Sequence, residues 1–166
     1  MTDEIFRNDS YVFEFEAEVT AVNGEYVTLG GTAFYPGGGG QVCDIGSICG
    51  KSVTEVRYEG KDIVHKVPDN KLKEGDKVWC SVDWDRRYDL MKGHTAEHLL
   101  FNSLHRQDSD IRIVKIMISP ENKYVIVDRD LEWNKIRDAV AFANSTINDN
   151  VPVIKSVMNR NDPDIK

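Results

Sequence analysis

Residues 11–29 read YVFEFEAEVTAVNGEYVTL, a stretch in which apolar and acidic residues alternate on both sides of Asn23-Gly24. Alternation with a period of two is typical of a strand with one buried face, and Asn-Gly is a favoured two-residue hairpin turn. The stretch therefore predicts an antiparallel hairpin, which the segments that follow extend.

Further short strands are predicted C-terminal to this hairpin, separated by turn sequences such as Pro68-Asp69-Asn70. They cover residues 45–48, 53–58, 63–67 and 77–82. Several short strands at this spacing favour a small antiparallel barrel. Of the 12 glycines, 9 lie between residues 24 and 50, which marks one special loop within that barrel.

The hydrophobic period changes at residue 83, where DWDRRYDLMKGHTAEHLLFNSLHRQ predicts a helix over 83–107 with Asp83 or Asp85 as its N-cap. Two strands, a second helix with one apolar stripe and a last strand follow. They cover 111–118, 124–128, 133–147 (stripe Ile136, Val140, Ala143, Ile147) and 153–157. We therefore predict an α+β chain: a glycine-rich antiparallel β-barrel at 1–85, then an α/β domain at 86–166.

Composition narrows the functional classes. With 21 basic and 28 acidic residues the net charge is −7, which excludes indiscriminate binding of polyanions. Residues 1–85 hold 8 basic and 16 acidic residues and residues 86–166 hold the other 13 and 12, so an anionic partner is expected at the second half. No signal sequence or membrane span is recognised, and the three cysteines are too few and too unevenly placed for a disulfide framework. A reducing, cytoplasmic setting is expected.

The densest run of glycines lies in residues 30–46, GGTAFYPGGGGQVCDIG. Successive glycines remove every Cβ, so main-chain N–H groups can approach a ligand closely. The run lacks the Gly-Lys-Ser/Thr ending of a phosphate loop, which argues against nucleotide binding. The alternative is a wide bulge or hairpin at the rim of the barrel, with Phe34 and Tyr35 in its core.

His94 and His98 stand at i and i+4 of the predicted helix, close enough for both to bind one tetrahedral zinc ion. Glu97 does not follow the first histidine directly, so the pattern is not that of a zinc protease. Two histidines on a partly buried helix face are the alternative. His65 is interpreted as a surface or edge residue of its strand, and Cys43 and Cys49 as small apolar core residues.

Basic residues flank this histidine pair and are candidates for holding the phosphates of a nucleic acid. A solvated helix face with i to i+4 ion pairs would explain some of them equally well. The candidates are Arg86, Arg87, Lys92, Arg112 and Lys115.

Together, the two motifs resemble one family. The pattern comprises Thr32, Phe34, Tyr35, Gly38, Gly39, Gly40, Gln41, Asp44 and Gly46, then Asp83, Arg86, Arg87 and HTAEHLL at 94–100. It is similar to the editing module of alanyl-tRNA synthetase and its free-standing AlaX relatives. The resemblance implies a barrel like the second domain of translation factors, followed by a two-layer α/β editing domain. It also implies hydrolysis of the ester that joins serine or glycine to tRNA(Ala).

The resemblance further implies a zinc ion bound by His94, His98 and a later Cys-x-x-x-His pair. Gln41 and the loop of Gly38, Gly39 and Gly40 are expected to close over the acylated end of the tRNA. Thr95 is a candidate oxyanion donor or reader of the substrate hydroxyl.

This sequence departs from the family pattern in two respects. No cysteine follows Cys80 and no histidine follows His105, so water or a partner must complete the zinc site, or the metal is absent. The strand at 111–118 carries only Arg112 and Lys115 as polar residues, where the family has a threonine or glutamine reader. Three hypotheses follow: a zinc-dependent deacylase, a degenerate module that binds the tRNA acceptor end without hydrolysis, or a fragment of an alanine–tRNA ligase whose ATP-binding parts lie elsewhere.

Overall fold

The hairpin of residues 11–29 is part of a larger antiparallel sheet in a computed structural model, which describes residues 1–154, 158–159 and 161. The strands are β1 (Asp3–Glu4), β2 (Glu14–Asn23), β3 (Tyr26–Leu29), β4 (Gly31–Thr32), β5 (Gly46–Ile48), β6 (Lys51–Val53), β7 (Glu55–Glu59), β8 (Asp62–Lys66), β9 (Lys77–Val82), β10 (Ile113–Ile118) and β11 (Lys123–Val127). The helices are α1 (Ile5–Asn8), α2 (Trp84–Gln107) and α3 (Trp133–Asn148).

Seven of these strands form the predicted barrel-like sheet, in the order β6-β5-β9-β2-β3-β8-β7, with antiparallel neighbours throughout. Its two edge strands, β6 and β7, are separated in the chain by Thr54 alone. Since that residue ties the two edges together, the sheet curls into a nearly closed barrel. The chain is thus α+β, as predicted.

The alternation in β2 places its acidic residues outside and its apolar residues inside. Phe15 and Val19 are buried, whereas Glu14, Glu16 and Glu18 are exposed. The inward residues join a core that includes Val27, Leu29, Phe34, Ile48 and Ile63, each 0% exposed. Each large apolar side chain buried in this way contributes about 1.5–3 kcal/mol.

His65 lies inside this core, so its interpretation as a surface or edge residue is wrong. The side chain is fully buried; Nδ1 donates to the carbonyl of Val27 (3.1 Å) and Nε2 accepts from Thr32 Oγ1 (2.8 Å). Thr32 Oγ1 in turn accepts from the Phe34 N–H (3.1 Å). Burial lowers the pKa of His65 to about 4, so the ring is a neutral, fully hydrogen-bonded link between β3, β8 and the glycine-rich loop.

The cysteine prediction is right for one residue and wrong for the other. Cys43 is partly buried against the barrel core, but Cys49 is exposed in a turn with φ of +48°. The N-terminal β1 and α1 carry no pattern that predicted them. Their Phe6 is buried against the barrel, and β1 pairs with β4 in parallel.

The long helix α2 begins one residue after Asp83, whose carboxylate accepts the Arg86 N–H (3.1 Å) as an N-cap. Gly93 lies within it because the aliphatic stem of Lys123, on β11, crosses the helix at that point. A Cβ on Gly93 would lie 2.7 Å from Lys123 Cδ.

Behind α2, strands β10 and β11 form an antiparallel hairpin, and α3 packs against α2. The buried residues of α3 are Ala139 and Ala143; Val140 and Ile147, which the sequence placed on its buried stripe, are 40% and 57% exposed. Of the predicted last strand, Val153 and Ile154 lie outside regular secondary structure, and residues 155–157 lie outside the described residues. Among the helices described, even the longest lacks the apolar run that a membrane span requires.

Candidate functional site

The glycine run forms a tight hairpin turn at the rim of the barrel. Gly38 and Gln41 exchange backbone hydrogen bonds of 3.0 Å in both directions, around Gly39 (φ +58°) and Gly40 (φ +85°). Two successive central residues with positive φ are typical of a type I′ turn, for which glycine is the favoured residue. The hairpin predicted as an alternative to a ligand loop is therefore present.

The same turn also contacts the second half of the chain. Ile118 at the end of β10 donates its N–H to Gly40 O (2.8 Å), and its carbonyl accepts from the Val42 N–H (3.1 Å). A Cβ on Gly40 would lie only 2.6 Å from Ile116 Cγ2. The absence of side chains in the turn is what lets the loop pack this closely on β10.

Gln41, the residue after the glycines, binds the first histidine of the predicted pair. Its Oε1 lies 2.7 Å from His94 Nδ1, although the two residues are 53 positions apart. Because an amide oxygen only accepts, Nδ1 carries the proton and Nε2 keeps its lone pair. Burial lowers the pKa of His94, and the proximity of His98 lowers it further, so His94 is held in the neutral form that ligates metals.

His94 and His98 stack on one face of α2 with ring centroids 5.1 Å apart and ring planes at 9°. His98 is 66% exposed in its side chain, and its Nδ1 lies 3.9 Å from Oε2 of Glu97. The Glu97 side chain is 6% exposed, and neither carboxyl oxygen has a hydrogen-bond partner among the residues described. Each imidazole therefore has a side-chain oxygen on its Nδ1 side.

This donor set fits half of a zinc site. Histidine ligands of zinc commonly bind through one ring nitrogen while the other is held by a carboxyl or carbonyl oxygen. Gln41 supplies such an oxygen within bonding distance, and the Glu97 carboxyl lies 3.9 Å from His98 Nδ1. Within residues 1–154, 158–159 and 161, no group of three or more histidine, cysteine or acidic residues is arranged to hold a metal ion.

A cavity of about 430 Å³ opens beside His94, between the barrel and α2. Its lining comprises Phe6, Arg7, Ser10, Tyr35, Gln41, Arg87, Met91, His94, Thr95 and Val153. The phenol of Tyr35 donates to Gly38 O (3.1 Å), and burial raises its pKa. Thr95 is exposed and donates its hydroxyl to Met91 O (3.0 Å). Sequence reasoning missed the contributions of α1, since nothing in MTDEIFRNDS matches a motif.

Arg87 does not have the role predicted for it. Its side chain is 3% exposed and pairs with Asp44, which is 1% exposed; Arg87 Nε lies 3.0 and 2.9 Å from the two carboxylate oxygens. The guanidinium also donates to the carbonyls of Ser10 and Ala33. A buried guanidinium engaged on all sides is not available to a phosphate, so Arg87 instead ties α2 to the barrel.

The other predicted phosphate contacts are placed apart from one another. Arg86 donates to Cys43 O (3.3 Å), and Lys92 is exposed with Nζ 4.9 Å from the ring centre of Tyr88. Lys115 is exposed on β10, and Arg112 lies six residues before the contact of Ile118 with the loop, about 20 Å of extended chain. Of the predicted set, only Arg87 is in the described lining of the cavity beside His94.

Comparisons with known proteins identify relatives of this chain. Residues 6–86 match the family of tRNA synthetases class II (A). Over 152 residues the chain is 40% identical to "Alanyl-tRNA editing protein AlaX-M" of Saccharolobus solfataricus. The chain is a homologue of AlaX-type editing proteins and alanine–tRNA ligases. The match to AlaX-M covers 82% of this chain and 64% of that protein.

Alanine–tRNA ligases match over smaller shares of their own length. That of Pyrobaculum aerophilum is 34% identical over an alignment of 184 positions, gaps included, which covers 99% of this chain and 19% of the ligase. That of Pyrococcus abyssi is 44% identical over 110 residues, or 63% of this chain and 12% of the ligase. This homologue therefore spans less than two thirds of the length of these relatives.

Proposed function

We propose that this homologue is an aminoacyl-tRNA deacylase that hydrolyses the ester of Ser- or Gly-tRNA(Ala). The observation that carries the proposal is the 2.7 Å contact between Gln41 and His94, which joins the glycine loop and the histidine pair in one cavity. The name of AlaX-M, an alanyl-tRNA editing protein, supports the same assignment. The proposal also includes a barrel like that of translation factors, a two-layer editing domain and a cytoplasmic location.

The reaction answers a physical need of aminoacylation. A pocket made for alanine rejects one additional hydroxyl or one missing methyl group only weakly, so a separate hydrolytic site supplies the missing discrimination. The cavity beside His94, at about 430 Å³, lies in the usual range for a small-molecule site. It has room for an aminoacyl group and part of the ribose that carries it.

Zinc is part of the proposal, with His94 and His98 as the residues that would hold it. Bound there, the ion would polarise the ester carbonyl or lower the pKa of an attacking water. Gln41 fixes the ring of His94 with Nδ1 protonated, whereas the Glu97 carboxyl lies beside His98, 3.9 Å from its Nδ1. The chain's own contribution to this chemistry is thus to orient the imidazole of His94.

The glycine loop is suited to stabilise the tetrahedral oxyanion. In a type I′ turn the hydrogen bonds run between the outer residues, so the N–H groups of Gly39 and Gly40 take no part in the turn itself. Gly39 lies against His94, since its Cβ position is 3.9 Å from His94 Cε1. Main-chain donors at that position stabilise the developing negative charge without reorganisation.

Thr95 is proposed to read the hydroxyl of a serine substrate. Its own hydroxyl proton is used on Met91 O, so its oxygen is left as an acceptor facing the cavity. Phosphates of the tRNA are assigned to the basic residues outside the cavity: Arg86, Lys92, Arg112 and Lys115.

A second candidate is a module that binds the acceptor end without hydrolysing it. The observation in its favour is that the described residues provide two zinc ligands where tetrahedral sites use four. The third candidate is a fragment of a longer ligase, in whose favour the match to the Pyrobaculum aerophilum protein covers 99% of this chain and 19% of that ligase.

The test is release of serine from Ser-tRNA(Ala), measured together with the zinc content of the protein. His94→Ala and His98→Ala should each lower the rate at least a hundredfold, whereas His105→Ala, an exposed position on the same helix, should not. Equal rates for wild type and His94→Ala would contradict the assignment of the histidines. Tight tRNA binding without serine release from wild type would favour the binding module.

A further inference from the structure

Four aromatic side chains form a cluster beside the start of α2, three of them exposed and the fourth, Trp84, partly buried. Tyr11 is 62% exposed, Tyr88 42% and Phe13 38%. Trp84 lies at their centre: its ring stacks on Tyr88 (5.5 Å, 22°) and contacts Tyr11 (5.7 Å) and Phe13 (5.2 Å). We call these four residues the aromatic platform. They lie outside the described barrel core, and three of them keep more than a third of their surface open to solvent.

The aromatic platform is continuous with the proposed hydrolytic site. Tyr11, Tyr88 and Lys92 line a second cavity, of about 400 Å³, and Met91 and Thr95 line both this cavity and the one beside His94. Tyr88 precedes His94 by six residues of one helix, or about 9 Å along its axis. A ligand whose reactive end lies at His94 can therefore pass Met91 and Thr95 into the second cavity and reach Tyr88 and Tyr11 there.

The chemistry of the platform suits unpaired nucleotides. Unpaired bases stack on exposed aromatic rings, a contact that tolerates any base because each has a π face. Lys92 places its ammonium 4.9 Å from the ring centre of Tyr88, where it can meet a phosphate next to a stacked base. Stacked nucleotides advance by about 3.4 Å each, so the axial rise of about 9 Å alone corresponds to at least two or three nucleotides.

We propose that the aromatic platform stacks the unpaired nucleotides that directly precede the esterified adenosine of the tRNA. The inference rests on the proposed function, because it takes His94 as the position of the ester. Lys92 is also one of the phosphate contacts predicted from sequence; the four aromatic residues are not, and they would contact bases by stacking. Lys92 is the cation observed over the platform, and neighbouring Asp89 is paired with Lys123 (2.6 Å), so binding here should depend mainly on stacking and only weakly on salt.

The test uses an RNA hairpin that has an unpaired 3′ tail and carries no esterified amino acid. Fluorescence anisotropy measures the affinity of the protein for this RNA. Trp84→Leu and Tyr88→Leu should each weaken binding about tenfold, because leucine keeps the apolar contact and loses the π face. Trp84→Phe and Tyr88→Phe should stay close to wild type. Trp79→Leu is the matched control, since Trp79 is 56% exposed on β9 and makes no ring contact with the platform among those described. A blunt-ended hairpin should bind all variants alike.

Equal affinities of the leucine and phenylalanine variants for the tailed hairpin would overturn the proposal. The proposal would also be overturned if the leucine variants changed the oligomeric state, measured by sedimentation, and left the RNA affinity unaltered. The platform would then be covered by a second copy of the chain. Since the probe carries no ester, its binding is independent of hydrolysis. If RNA binding depends on the platform but wild type releases no serine, only the proposed deacylase is contradicted. If wild type releases serine but the leucine variants bind RNA as tightly as wild type, only the platform is contradicted.

Discussion

His65 shows how a single buried group sets the acid stability of the barrel. Its pKa is about 4 in the folded chain, against about 6.5 for an unperturbed histidine. The unfolded chain therefore binds the proton first as pH falls, and the stability from a neutral His65 is complete above about pH 6.5 and lost towards pH 4. A difference of this size corresponds to about 3 kcal/mol.

The measurement is urea unfolding at pH 7 and pH 4.5. Wild type should lose about 2–3 kcal/mol more over this interval than His65→Gln, which has no imidazole to protonate. The exposed His105 gives the control, since His105→Gln should keep the pH dependence of wild type. An NMR titration in which the His65 ring protonates near pH 6.5 would contradict the prediction directly.

Gln41 should control the metal affinity of the histidine pair through the orientation of His94. Gln41→Leu removes the oxygen that holds Nδ1, and loss of such an outer contact lowers zinc affinity about 10- to 100-fold. Gln41→Glu keeps an acceptor at the same place and should retain most of the affinity. Competition with a chromophoric chelator measures both, and a Gln41→Leu protein that binds zinc as tightly as wild type would show that Gln41 does not position the ligand.

At the scale of single residues, the sequence predicts the position of a side chain correctly where its partner lies nearby in the chain. The i, i+4 spacing identified His94 and His98 as neighbours, which the structure confirms. Arg87 looked like a phosphate ligand because DWDRRYD shows its charge but not Asp44, its partner 43 residues earlier. His65 was misplaced for the same reason, since the Thr32 hydroxyl that makes its burial possible lies 33 residues away.

At the scale of elements, the glycine turn should be the least tolerant part of the site. Gly40→Ala places a residue with a Cβ at φ +85°, which costs about 1–2 kcal/mol. The new Cβ would also lie within 3 Å of the Ile116 side chain and backbone, and such overpacking costs about another 1–3 kcal/mol. We expect the loop to move away from β10, with a loss of both stability and serine release.

Gly60 separates these two costs. It has φ of +64° and open space at its Cβ position, so Gly60→Ala should lose only the backbone contribution, about 1–2 kcal/mol. Urea unfolding of both variants gives the comparison. Equal losses of stability would mean that the glycine turn does not pack on β10 as tightly as its geometry indicates.

Elements with a strong periodic pattern were predicted closely, and those without one were not. Strand β9 matches its predicted bounds, and α2 starts one residue inside the predicted limit because Asp83 is its cap. The single strand expected at 53–58 is divided at Thr54 between β6 and β7, since the chain turns there from one edge of the barrel to the other. No local pattern signals that turn, because it follows from closure of the sheet.

At the scale of the whole molecule, two contacts connect the barrel to α2. Gln41 reaches His94, and the buried Asp44 binds Arg87 near the start of the helix. Asp44 also accepts the Tyr35 N–H (2.6 Å), so the same carboxylate orients the glycine-rich loop. The loop and the histidines thus keep their relative position through Gln41, Arg87 and Asp44. The sequence predicted tRNA contacts for Gln41 and Arg87 and identified Asp44 only as part of the family motif.

Removing one partner of the Arg87–Asp44 pair should therefore destabilise the fold strongly, whereas removing both partners together should cost less than the sum of the two single losses. Arg87→Met leaves a buried carboxylate without its cation, which costs about 3–5 kcal/mol, and Asp44→Leu leaves the converse defect. The double variant should be more stable than the sum of the two losses implies, because no buried charge is left unpaired. Urea unfolding of the four proteins measures this coupling, with Arg137→Met, at a residue whose side chain is 78% exposed, as a control that should leave stability almost unchanged. Additive losses in the double variant would show that Arg87 and Asp44 stabilise the fold independently and that the pair does not connect α2 to the barrel.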